Sequence, residues 1–174
     1  MLREITQHFT GAIMKGIGTQ KSAKHKNDDD GLACIMSDSP HMADQCRSLT
    51  SSKHVIIKRI REGLPGEMVV GLAKKMRVPQ KDVAVWLHTT TRTVQRHIEG
   101  QEKLSPEISD RLAQLILVYC RCNEVFQDED KASTWLKTPN FALGGATPSS
   151  LLDTTLGIEL VFDELGRIEH GVFI

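Results

Sequence analysis

The chain has 174 residues, and its 22 Lys and Arg are cancelled by 22 Asp and Glu. That length suits one compact domain or two very small ones, and it can bury a core without disulfide staples. Neutral overall charge argues against a simple polycationic nucleic-acid binder, and aromatics at 5% argue against a base-stacking platform.

Taken in order, residues 1–50 balance six basic side chains against six acidic ones. The run KSAKHKNDDDG, Lys21 to Gly31, has too little apolar surface to offset ordering entropy. Leu2, Ile5, Phe9, Ile13 and Ile17 recur at helical spacing, but Gly11, Gly16 and Gly18 weaken that helix. The segment reads as a poorly ordered extension with at most one fraying helix, and Met42 is a candidate internal start.

Residues 51–112 hold twelve basic and seven acidic side chains. His54 to Ile57 fits a helix closed by Gly63, or a short strand because three of its residues are β-branched. Pro65 suits the first turn of a second helix, with Val69, Leu72, Ala73 and Met76 on one stripe. Pro79 opens a third helix, with Val83, Ala84 and Leu87 inward. Thr89 or Thr90 can cap a fourth, anchored by Val94 and Ile98 and stopped at Gly100. Two short helices joined by a tight turn make a helix-turn-helix, and small Ala84 suits their close crossing. His88 stands in the turn, where the backbone favours Gly.

With Val94 and Ile98 inward, Thr91, Arg92, Gln95 and Arg96 face outward. Arg pairs bidentately with guanine and Gln with adenine in the major groove. Thr90 borders that face, while Lys74, Lys75, Arg77 and Lys81 are candidates for phosphate contacts. Residues 51–104 therefore read as a DNA-binding domain, against the plainer reading of a solvated basic helix.

Ser105-Pro106-Glu107 is a strong helix start. Ile108, Leu112, Leu115, Ile116, Tyr119, Cys122, Val125 and Phe126 continue it for about 20 residues at a 3.6-residue period. Leu117 and Val118 widen its apolar face, which implies either a dimer partner or burial on several sides. Asp128 begins a further helix with Ala132, Trp135 and Leu136 inward, and Trp135 reads as a core anchor. A loop through Pro139, Asn140, Gly144 and Gly145 leads to a turn at Thr147-Pro148. Asp153 can cap a last helix with Ile158, Val161, Phe162, Leu165 and Ile168 inward, stopped by Gly171. Residues 113–174 carry four basic and nine acidic side chains, so overall neutrality is a cancellation between a basic middle and an acidic end. The apolar tip Val172-Phe173-Ile174 either folds back or inserts into a partner.

The longest apolar run, Leu115 to Cys120, is six residues against the roughly 20 of a membrane span. No signal-peptide core appears near Arg3, Glu4 and His8, so a cytoplasmic protein is expected. Cys34, Cys46, Cys120 and Cys122 lack the spacing of a zinc or redox site and read as free thiols. Neither a G-x-S-x-G elbow, an HExxH, a P-loop nor an acid–base pair is present, and the seven histidines are scattered. An enzyme fits poorly, and no cofactor or metal is expected.

The stretches LSPEISDRLAQLILV, EVFQDEDKASTWLKTPNFALGG, TPSSLLDTTLGIELVFDELGRIEHGVF and TTTRTVQRHIEG together resemble the Xre/MbcA/ParS-like antitoxin family. The resemblance covers roughly residues 53–174, with several motifs in the family's order. It departs at His88, where the family usually has Gly, and at Ser149-Ser150, where Leu-Asp is usual. It implies an all-α fold: a helix-turn-helix domain at 51–104, then a helical dimerisation and toxin-binding domain at 105–174. It further implies a type II antitoxin that binds operator DNA as a homodimer and neutralises a cognate RES-type toxin. By position, Arg167, Glu169, His170, Gly171, Val172, Phe173 and Ile174 would cover that toxin's NAD pocket. The alternative is a stand-alone transcription regulator whose second domain only dimerises.

Overall fold

The computed structural model describes residues 53–171, so the expectations for residues 1–50 and for Val172, Phe173 and Ile174 lie outside it. The described residues form seven α-helices and two short 3-10 turns, which is the all-α class expected. The helices are α1 (Lys53–Glu62), α2 (Glu67–Met76), α3 (Gln80–Trp86), α4 (Thr91–Glu99), α5 (Pro106–Phe126), α6 (Glu129–Lys137) and α7 (Thr155–Glu169). The turns, Phe141–Leu143 and Pro148–Leu151, lie between α6 and α7.

His54 to Ile57 is helical, which settles the helix-or-strand alternative. Gly63 ends that segment at a φ of 84°, where a Cβ would sit 2.6 Å from the Leu104 carbonyl oxygen. Only glycine permits this approach of the loop before α2 to the start of α5. Pro65 lies before α2 rather than in its first turn: Gly66 is the cap, and the Pro65 carbonyl accepts from the Met68 N–H at 3.2 Å. Its residue pairs instead in an isolated antiparallel bridge with Lys103.

Helix α5 is the spine. Its 21 residues match the expected length, and Ser105 caps it by accepting from the Ile108 N–H at 3.4 Å. It packs against α1, α2, α6 and α7. Val118 is fully buried and Leu117 packs partly buried on the core, so burial on several sides accounts for the wide apolar face. One cluster runs from Ile56 through Val69, Val94 and Leu115 to Leu165, so the basic and acidic segments share a core. Trp135 joins it with its ring 5.5 Å from that of Phe126, as a core anchor should. Cys120 and Cys122 are buried and make no disulfide, and burial pushes the Cys122 thiol far above its ordinary range, keeping it protonated and inert.

Two further helix ends differ from the sequence reading. Thr154, not Asp153, caps α7 by accepting from the Gly157 N–H at 3.0 Å. A Cβ on Gly157 would fall 1.9 Å from the Leu151 carbonyl oxygen, so glycine lets α7 start hard against the preceding turn. At the end of α4, Gly100 is the cap but keeps right-handed geometry, and the left-handed position falls on Gln101 at a φ of 51°. The Gln101 and Glu102 N–H groups reach back to the Ile98 and His97 carbonyls at 3.1 and 2.9 Å, the paired bonds of a Schellman stop.

Candidate DNA-binding and toxin-binding surfaces

Helices α3 and α4 form the expected helix-turn-helix. Val83, Ala84, Trp86, Leu87 and Val94 are buried between them and the rest of the core. Of the two candidate caps, Thr90 does the work: its hydroxyl accepts from the Thr93 N–H at 3.1 Å. That bond satisfies a free donor at the helix start and orients α4.

The outward face of α4 is polar as expected. Thr91, Arg92, Gln95 and Arg96 are all exposed on it. Gln95 is held in place by donating to Glu99 Oε1 at 3.0 Å, an i,i+4 bond. Lys74 and Lys81 are exposed on the neighbouring elements, and Lys75 is half-buried. Arg77 is exposed too, and it is also engaged within the chain. It occupies the left-handed position after α2 at a φ of 54°, pairs with Asp130, and lends its carbonyl to Lys137 Nζ at 2.6 Å. This residue ties α2 to α6.

His88 adopts a φ of 53°, the left-handed conformation the tight turn requires. Its ring compensates: Nε2 lies 2.7 Å from the Asp153 carbonyl oxygen and donates to it. A glycine would adopt this turn freely but could not make that bond. The DNA-side turn is therefore clasped to the residue just before the α7 cap.

Arg111 makes a second clasp at the same junction, which the sequence reading missed. It is only 9% exposed, yet no carboxylate appears among its bonds. Nε donates to the Trp86 carbonyl at 3.1 Å, Nη1 to Thr155 Oγ1 at 3.3 Å and Nη2 to the Leu152 carbonyl at 3.4 Å. Trp86 ends α3, so the guanidinium complements the negative end of that helix while reaching the start of α7. The available signal was a charge on an apolar stripe, three residues after Ile108 and four before Leu115. Two buried serines were missed as well. Ser109 Oγ accepts from the Leu64 N–H at 2.9 Å, and Ser133 Oγ donates to the Met76 carbonyl at 3.2 Å.

At the other end of α7, the residues expected near the toxin fall into two groups. Arg167 and Glu169 are engaged within the chain. Arg167 Nη1 donates to Glu164 Oε2 at 3.1 Å, and both Glu169 oxygens accept from the Arg121 guanidinium. That pair holds the Glu169 carboxyl below its usual range and fastens the end of α7 to α5. His170 and Gly171 are exposed beyond it, and Gly171 turns the chain at a φ of 68°. Glu164 is buried, and Asn140 Nδ2 also donates to it at 3.1 Å, so the carboxylate is satisfied. The two serines that depart from the family pattern stay within their turn: Ser150 Oγ donates to the Thr147 carbonyl at 2.7 Å and Ser149 Oγ lies 3.3 Å from Thr147 Oγ1.

Among the described residues no cluster of three or more His, Cys, Asp and Glu could hold a metal ion, and no helix is long and apolar enough to cross a membrane.

A helix-turn-helix fused through one core to a small acidic helical domain defines the class, and comparison with known proteins agrees. Residues 55–116 match the antitoxin Xre-like helix-turn-helix domain, and residues 122–171 match the antitoxin Xre/MbcA/ParS C-terminal toxin-binding domain. An Antitoxin Xre from Yersinia enterocolitica is 31% identical over 120 residues, covering 68% of this chain and 81% of that protein. An Antitoxin Xre from Photorhabdus laumondii is 33% identical over 114 residues, covering 65% and 77%. A Sphingobium protein named Prs ADP-ribosylating antitoxin is 28% identical over 123 residues, covering 66% and 77%. The chain belongs to the Xre antitoxin family, a family of toxin inhibitors and regulators rather than enzymes.

Proposed function

We propose that this antitoxin works in the bacterial cytoplasm as the inhibitor of a RES-type toxin that consumes NAD, and as the repressor of its own operon. The observation that carries the reading is the junction of two unlike faces through one core. The exposed Arg92, Gln95 and Arg96 of α4 stand on a helix-turn-helix, and α7 of the toxin-binding domain is clasped to its turn by His88.

On the DNA side, residues 51–104 dock α4 in a major groove. Thr91, Arg92, Gln95 and Arg96 meet base edges, while Lys74, Lys75 and Lys81 meet phosphates. Thr90 contributes through the cap that positions the helix. A homodimer presents two such helices to two half-sites. On the toxin side, residues 105–174 carry the tip. The Arg121–Glu169 pair gives it a fixed point of departure, and Gly171 redirects the chain there. His170, Gly171, Val172, Phe173 and Ile174 then enter the NAD pocket, with Arg167 and Glu169 at its rim. An acidic domain also complements a pocket built for an anionic nucleotide. The Sphingobium relative's name includes ADP-ribosylation, a reaction that takes its ADP-ribose from NAD.

Co-expression with the product of the adjacent reading frame tests this. The two should co-purify, and deleting Gly171 to Ile174 should abolish rescue of growth while operator affinity is kept. Full rescue by the truncated chain removes the tip from the mechanism. Operator binding without any capture of the neighbouring product leaves a stand-alone regulator.

A further inference from the structure

We propose that the outer face of α7, centred on Leu156 and Leu160, is a second docking surface for the toxin, distinct from the C-terminal tip. The inference rests on the toxin-binding reading above and adds the place where affinity is generated.

Leu156 is 73% exposed and Leu160 50%, although Ile158, Val161 and Leu165 of the same helix are buried. Residues four apart lie one above the other on a helix, so the two leucines form one outward apolar stripe. Phe141, 90% exposed, stands on the turn that Asn140 fastens to α7 through Glu164. Outward leucines at helical spacing match the anchors of helix-in-groove recognition. All three residues lie inside the stretch that matches the toxin-binding domain. Continued at three- and four-residue steps, the stripe passes Asp163 and Arg167 and reaches the end of α7, where the tip departs.

Charge selects the occupant. The exposed charged side chains beside the leucines are Asp153, Glu159 and Asp163, all acidic, and Arg167 further on is held by Glu164. A second copy of the chain would set these carboxylates against themselves across a two-fold contact. A partner with an apolar patch rimmed by basic groups satisfies both the leucines and the acids. A toxin whose pocket holds an anionic nucleotide has such groups next to the tip's destination.

The test uses the full chain and the product of the adjacent reading frame. Leu156→Asp with Leu160→Asp should weaken that complex by about 100-fold, since two central anchors are replaced by charges. Leu156→Ala with Leu160→Ala should weaken it by about 10-fold and guards against misfolding of the first pair. Operator affinity and melting temperature should be unchanged, because both leucines face solvent in the free chain. Toxin affinity equal to wild type in both pairs overturns the inference, and so does loss of self-association with toxin affinity intact. Failure of the wild-type chain to bind the product overturns the toxin reading itself, a result separable from either of these.

Discussion

Helices α4 and α7 turn similar apolar stripes inward and opposite chemistries outward. Val94 anchors α4 beneath a surface of Thr91, Arg92, Gln95 and Arg96. Ile158, Val161 and Leu165 anchor α7 beneath Leu156 and Leu160, flanked by acids. Folding uses about half of each helix's circumference and leaves the remainder free to take on a partner's chemistry. A groove lined with phosphates and base edges asks for hydrogen-bond donors and positive charge. A protein partner with basic groups asks for apolar anchors and negative charge. The two outward faces therefore carry opposite chemistries in a chain that is neutral as a whole.

The comparison breaks most severely at Arg111, which serves both regions. Arg111→Met leaves the Trp86 and Leu152 carbonyls bare inside the junction. Hydrogen bonds to a charged group contribute about 1.5–3 kcal/mol each, offset in part by no longer burying the guanidinium. A net loss of about 3 kcal/mol is expected in urea denaturation. The shared core further predicts a single unfolding transition for residues 53–171 at a lower midpoint. Two separate transitions would mean that the halves fold independently and that the clasp joins finished domains.

Next in size, Arg92→Ala and Arg96→Ala should each lower operator affinity by about 1–3 kcal/mol if they read bases, with relaxed preference at the contacted positions. Leu156→Ala should leave the same titration unmoved. A uniform loss across unrelated sequences would reassign the two arginines to phosphate, and the α4 face would then position without discriminating.

Thr90→Ala probes the frame beneath that face. It removes the bond to the Thr93 N–H and should cost about 1 kcal/mol of stability, measured by thermal unfolding. Thr90→Ser should restore most of it. Because the cap orients α4, operator affinity should fall in Thr90→Ala and toxin affinity should not.

These three tests rank the residues differently from what the sequence could show. The stripes, the caps at Ser105 and Thr90, and the helix-turn-helix were legible because each depends on neighbours within four residues. The clasps were not, because their partners lie far along the chain: Arg111 bonds across 25, 41 and 44 residues and His88 across 65. His88 was visible as a departure in a turn, but only the fold shows that its ring is what compensates. The charge blocks suggested two separate units, whereas apolar burial along α5 joins them. Leu156 and Leu160 were passed over because a search for one inward stripe ignores apolar residues off it. Arg167 and Glu169 were expected at a partner surface, yet both make internal ion pairs, which depend on the register of α7 against α5.

The smallest expected effect sharpens the α7 side alone. The Arg121 guanidinium lowers the Glu169 carboxyl from its usual value near 4.5, so the folded chain binds this proton more weakly than the unfolded chain does. The pair's contribution is therefore fully present above that value and is lost as pH falls through the lower folded value. Both side chains are partly solvated, at 27% and 41% exposure, so solvent screening keeps the contribution below about 1 kcal/mol. Carboxyl NMR titration should show Glu169 ionising below its usual range in the wild-type chain and returning toward it in Arg121→Gln. Lys74 and Lys75, on the DNA side, should be untouched by that substitution. If Arg121→Gln also reduces rescue of growth with operator affinity kept, the pair aims the tip. If rescue is unchanged, the apolar stripe of α7 is sufficient to hold the toxin, and the departure point of the tip is free to vary.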